Sequence, residues 1–284
     1  ELDLQGQSLE ANKIEVLNSS QLTIDSCVVR VANSFTSTGG STIETEGCSL
    51  FMLNNNSRFY NYPSNSHHFD KITLFNNTQF FTSTLSSSEV LDIRRNIFIG
   101  GGFSADSVYL DPSTTMVIDV GSSLTLSYLD AHGSCSSFIE IQSSGLGSIA
   151  SFTHTSSMDT ANFVRLRDIS ISGSSWDINN YDNVNNSSLG ISGNLYGSGQ
   201  KFFWVNGNGS WDDTNHWSTV EGGQPGTCVP SALDTVVFSD SSSTGVLNVI
   251  MPDKDINISS IYAGATFNIA FIGIRVILVT FKNL

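Results

Sequence analysis

Two segments of this chain overlay on each other at a spacing of 21 residues: SQLTIDSCVVRV, around Cys27, and GSTIETEGCSLFM, around Cys48. In that overlay Leu22 falls on Ile43, Asp25 on Glu46, Ser26 on Gly47, Val29 on Leu50 and Val31 on Met52. Apolar residues alternate with polar ones in both copies, so each copy reads as short strands with one buried face. A repeat of about 20 to 25 residues is the length of one β-solenoid coil, in which every turn stacks on the last at about 4.8 Å. The expected fold is therefore all-β: an elongated β-solenoid, or β-helix, of short strands with no substantial helix.

The rest of the chain keeps this rhythm. KITLFNNTQFF (71–81), EVLDIRRNIFIGGG (89–102), SVYLDPSTTMVIDVGSSLTLSYL (107–129), FIEIQSSGLGSIASFTH (138–154) and FVRLRDISISGSSW (163–176) read as strands separated by Gly, Ser, Asn or Asp turns. Asn-rich spots such as 54–57 and 76–77 favour turns, because Asn tolerates left-handed backbone angles, and in a solenoid such residues also stack into ladders. The rhythm fades over DINNYDNVNNSSLGISGNLYGSGQ (177–200). Three units are expected: residues 1–182 as one solenoid repeat, 183–201 as an Asn/Ser/Gly-rich boundary, and 202–284 as the start of another repeat. FNIAFIGIRVILVTF (267–281) is short for a membrane helix, carries Arg275 in its middle and is β-branched, so it reads as one or two buried strands.

Cysteines at equivalent places in successive coils would be neighbours. Cα atoms at that spacing accept a disulfide, so a Cys27–Cys48 bond is expected, the alternative being a stacked pair of buried free thiols. Cys135 and Cys228 complete an even set, their pairing open. None of the four has the C-x-x-C spacing of a zinc or redox site.

FFWVNGNGSWDDTNHW (202–217) breaks the pattern. Trp204, Trp211 and Trp217 alternate with glycines, asparagines and aspartates, and Gly207 and Gly209 allow turns that other residues resist. The tryptophans are expected to form a small structural aromatic core, or to cap an open β edge, in preference to a sugar-stacking site. Downstream come Cys228, Val229, Pro230 and then Asp234, Val236 and Phe238 in LDTVVF. This order resembles the repeats of very long secreted surface proteins of the Bacteroidetes, including gliding-motility adhesins, in which W-x-G-x-G-x-W-x-D-x-x-x-W is followed by C-V-P and D-x-V-x-F. It is also similar to the β-strand repeats of autotransporter passenger domains. Here Asn206 to Gly209 stand at the glycine pair and Asp213 at the aspartate, while LRDISISG (166–173) fits the L-x-D-I-x-x-x-G stretch that closes a unit.

The resemblance implies an extracellular adhesive or load-bearing segment, exported by a type IX secretion system, with neighbouring repeats, the outer-membrane secretion and motility machinery, and a surface or polysaccharide as partners. It also implies O-glycans at Ser107, Thr160 and Thr235, each of which follows an aspartate and precedes a small or apolar residue. N-x-S/T sequons at Asn18, Asn55, Asn76, Asn208 and Asn257 are those a chain so rich in Asn and Ser generates by chance.

Net charge is −14 with only 12 basic residues, which disfavours nucleic acid and anionic membranes as partners. Carbohydrate-active enzymes also use β-helices, so an enzyme or carbohydrate-binding module is the competing expectation. Their sites need converging carboxylates. Here the acids are scattered: Asp25 and Glu46 would stack facing a turn, and Asp212 and Asp213 would point apart. His67 and His68 would face opposite sides of a strand, and His132, His154 and His216 are isolated. No nucleophile with a base, phosphate loop or repeated Thr row is recognisable, and the expectation is a non-enzyme without a required cofactor. Asp177, Asn179 and Asp182 could offer oxygens to calcium, although their spacing suits an Asx-rich turn better.

Overall fold

The computed structural model describes the backbone of residues 2–3, 6–61, 68–135, 137–156, 160–179, 182–183, 192–196, 199–231, 234–253, 256–264, 268–273 and 277–281. Parallel strands stack coil upon coil into a β-solenoid of about ten turns. The described residues contain no α-helix and a single 3-10 turn, Thr214–His216.

The 21-residue overlay holds in register. The strands Gln21–Asp25 and Thr42–Glu46 pair with Leu22 opposite Ile43 and Asp25 opposite Glu46. Val28–Ser37 and Ser49–Met52 pair with Val29 opposite Leu50 and Val31 opposite Met52. Ser26 and Gly47, aligned in the sequence, both take left-handed backbone angles.

Inward-facing residues form continuous columns. One runs Val29, Leu50, Ile72, Leu91, Val108, Leu129 through five successive pairings. Another runs Ile14, Phe35, Phe59, Phe80, Ile99, Ile118. In it the Phe59 ring lies 5.3 Å from Phe35 and 4.7 Å from Phe80, near-parallel to both. Identical spacing of coils and rings lets each side chain pack on its equivalent, so burial and stacking reinforce one register. Polar ladders form outside: Asn33 Nδ2 donates to Asn12 Oδ1 at 2.6 Å. Asn56, Asn76 and Asn77 turn the chain with positive φ, as their residue type favours.

Buried apolar residues gather into two clusters, one from Val16 to Ile171 and one from Phe202 to Ile261. The strand Ser192–Tyr196 pairs in parallel with Ile169–Asn179, so the first stack continues into the Asn/Ser/Gly-rich stretch. In the second stack Lys201–Trp204, Thr235–Phe238, Ile256–Ala263 and Ile277–Phe281 lie side by side in parallel. A second face is formed by Gly209–Ser210, Leu247–Ile250 and Ile269–Ile272. The apolar stretch 267–281 thus supplies two strands. No helix among the described residues is long and apolar enough to cross a membrane.

The cysteines pair differently from the expectation. Cys27 and Cys48 are buried free thiols with sulfurs 3.7 Å apart, and Cys48 Sγ points to the Ile24 carbonyl at 2.9 Å. Stacking at equivalent inward positions brings them into contact, but the Cys48 thiol spends its proton on the backbone. The disulfide joins Cys135 to Cys228, with Cα atoms 5.2 Å apart across 93 positions of sequence.

Candidate functional site

The tryptophan segment closes one edge of the second stack. Trp217–Ser218 pairs antiparallel with Lys201–Trp204, on the side of that strand away from Thr235–Phe238. It thereby covers hydrogen-bonding groups that an edge strand would otherwise present. The reversal needs a tight excursion between Trp204 and Trp217. Asn206 and Gly207 supply consecutive left-handed residues, and Asp213 caps the 3-10 turn by accepting from Asn215 N at 2.9 Å.

Trp204, Trp211 and Trp217 are all buried. Trp217 meets Trp204 and Trp211 edge-on at 4.9 and 4.8 Å. Two of the three indole nitrogens are hydrogen-bonded to the backbone: Trp204 Nε1 donates to the Gly207 carbonyl and Trp217 Nε1 to the Trp211 carbonyl, each at 2.7 Å. With all three rings buried, these tryptophans offer no face to a sugar.

Asp234 anchors the next strand. Its buried carboxylate accepts from Gln200 N and Ser231 N at 2.7 Å and from Ser231 Oγ at 2.9 Å. Burial pushes its carboxyl above the usual range, against the pull of those three donors.

A groove of about 390 Å³ lies beside the cap, on the outer face of the same sheet, lined by Lys201, Phe203, Glu221, Thr235, Val237 and Tyr262 among others. Phe203, Val237 and Tyr262 sit in one row across three strands, with Lys201, Thr235 and Ser260 in the next. Half-exposed rings beside hydroxyls, an ammonium and a carboxylate make an amphiphilic surface that can take an apolar ring face and its polar edge together. No sequence motif marks this groove; its one local trace is F-x-W in FFWV, which sets Phe203 on the face opposite the buried Phe202 and Trp204.

The other expected sites are dispersed. Ser107 is half-buried on the strand Ile97–Leu110, and Thr235 lines the groove with its hydroxyl 3.0 Å from Ser260 Oγ. The side chain of Thr160 lies outside the described residues, as do those of Asp177, Asn179 and Asp182. The backbone at Asp177, Asn179 and Asp182 is strand, with Asp177 opposite Thr160 and Asp182 opposite Arg165, while residues 180 and 181 between them lie outside the described residues. Asp25 and Glu46 face the turn side by side, as expected. His154 is buried and His132 is exposed near Asp130, whereas His216 is packed under the cap. His67 lies outside the described residues. His68 is brought together with Asp70 and Glu89, a grouping that no local motif announced.

No protein-family model, no curated protein and no solved structure matches this chain.

Proposed function

We propose that this chain is an adhesive and load-bearing segment of a long, repetitive extracellular surface protein, and not an enzyme. The observation that carries this reading is the joining of two parallel stacks, with a tryptophan cap at an edge of the second and a disulfide between Cys135 and Cys228. Stacked coils hydrogen-bonded along one axis make a stiff body that extends by repetition, which suits projection away from a cell. The resemblance of the tryptophan segment to repeats of secreted Bacteroidetes surface proteins supports export by a type IX system, placement at the cell surface and a role in attachment or gliding. Glycans at Ser107, Thr160 and Thr235 belong to the same reading. Beads coated with the chain should adhere to polysaccharide-coated surfaces above an albumin control without releasing reducing sugar. Equal adhesion of both bead types, or turnover of the polysaccharide, overturns the proposal.

The groove favours a second, narrower reading as a carbohydrate-binding module. On that reading Phe203→Ala and Tyr262→Ala each abolish binding to soluble oligosaccharide while leaving the tryptophan cap intact.

A further inference from the structure

We infer that His68, Asp70 and Glu89 form a binding site for a divalent transition-metal ion of the zinc class, bridging two successive coils on the outside of the solenoid. This inference is independent of the adhesive reading.

The three side chains come from two neighbouring parallel strands, His68–Leu74 and Thr78–Ile93. His68 and Asp70 are two residues apart and so project from the same face. Phe69 pairs with Ser88 and Lys71 with Val90, which sets Glu89 opposite Asp70 one coil away. One ligand atom from each residue lies within 4.8 Å of the other two. Modest side-chain rotation contracts that triangle onto a single ion.

Two features separate this group from an ordinary solvated acidic patch. First, Asp70 and Glu89 are like charges opposite each other on adjacent strands, which is unfavourable, and here, unlike at Asp25 and Glu46, an imidazole stands within reach of both carboxylates to complete a ligand set. The adjacent Lys71 does not neutralise them, because its Nζ is engaged by Asp92 at 3.1 Å. Second, the imidazole is already oriented, with His68 Nδ1 2.9 Å from Ser87 Oγ, the kind of outer contact that fixes ligating histidines. A nitrogen donor beside two carboxylates suits zinc, cobalt, nickel or manganese better than the all-oxygen shell that calcium prefers. Three protein ligands leave a coordination position open to water or to an oxygen from a partner molecule.

The corner where Asp70 sits explains how the site arises at this coil. The amides of both Asp70 and Lys71 donate to the Cys48 carbonyl, so the chain bends there and turns Asp70 outward. One coil earlier the same column holds Cys48, whose side chain points inward. The site is thus a local departure from the repeat.

The test uses the chelator-stripped chain titrated with ZnCl2 by calorimetry, and with CoCl2 by visible absorption. One saturable site is expected, with Zn2+ raising the melting temperature. His68→Ala and Glu89→Gln should each weaken Zn2+ binding by about tenfold or more, while His132→Ala, at an exposed histidine elsewhere, leaves it unchanged. Circular dichroism on each variant confirms that the coils are intact, and His68→Gln serves if alanine perturbs them. The cobalt spectrum should lack the intense thiolate charge-transfer bands that binding at Cys27 and Cys48 would give. Absence of saturable Zn2+ binding, unchanged affinity in His68→Ala, thiolate bands, or Ca2+ stabilisation that survives His68→Ala would each overturn the inference.

Discussion

The indole of Trp204 lies flat on the imidazole of His216, with ring centroids 4.8 Å apart and planes within 10°. His216 Nδ1 also lies 3.0 Å from the Val205 carbonyl, so the ring is held from its face and its edge. Gly209 passes directly against it: a Cβ there would stand 1.8 Å from His216 Nε2. Gly209→Ala should therefore displace a buried, doubly held ring and cost about 1–3 kcal/mol. Denaturant unfolding followed by tryptophan fluorescence checks this, and an unshifted midpoint would refute it.

Trp217→Ala should be costlier. It removes the ring that contacts both other tryptophans and loosens the antiparallel strand that shields Lys201–Trp204. A loss of about 3–5 kcal/mol is expected from the cavity alone. Exposing the edge should also promote self-association, visible as a larger species in light scattering.

The four cysteines should separate cleanly by reactivity. Burial, and then the hydrogen bond to Cys48, push the Cys27 thiol up to about 12, so the nucleophilic thiolate is suppressed at neutral pH. A thiol reagent should label neither Cys27 nor Cys48 in the folded chain. Guanidinium should expose these two, and reductant should add Cys135 and Cys228. Labelling of Cys135 without reductant would contradict the 135–228 bond.

Much of the fold was legible because a solenoid repeats its chemistry. Leu22, Val29 and Val31 announced their partners one coil later because identical coils place equivalent side chains in one column. Disulfide pairing was not legible in this way. Equivalence predicts proximity, which Cys27 and Cys48 have, but not bond formation, and the bonded pair joins two positions that no repeat relates. The His68, Asp70 and Glu89 group was hidden for a related reason. Its members are split between strands, and only the register Phe69 to Ser88 places Glu89 opposite Asp70. The tryptophans, mixed with turn residues in the sequence, are buried in the structure, whereas the groove beside them depends on side chains spread over several strands.

Acid should act on the first stack through Asp92. Burial alone would raise this carboxyl, but hydrogen bonds and charge from Arg94 and Lys71 outweigh it and hold the group below the usual carboxylate range. Arg94 Nη2 and Lys71 Nζ approach Asp92 Oδ2 at 2.9 and 3.1 Å. A lowered folded-state value means that the stabilisation is present above the unfolded carboxyl value, about 3.9, and is lost as pH falls through the folded value. Asp92→Asn should cost about 1–3 kcal/mol at pH 7. It should also flatten the stability profile below about pH 4, as measured by thermal melts across that range.

Phe59→Ala should test the aromatic column. Phe59 is buried between Phe35 and Phe80, and its loss should cost about 3–5 kcal/mol. Phe59→Leu, which keeps most of the volume, should recover much of that. Equal melting temperatures for the two variants would show that the column contributes little.

The Cys135–Cys228 bond also decides how tension would travel. A pull applied to the chain on both sides of that pair enters the sulfur bridge and leaves the chain between the two cysteines, 93 positions apart, slack. Roughly 300 Å of extended chain is thereby shielded from stretching until the bridge is reduced. The tryptophan cap sits inside the shielded loop, so the junction between the two stacks is a mechanical bypass whose give is set by redox conditions.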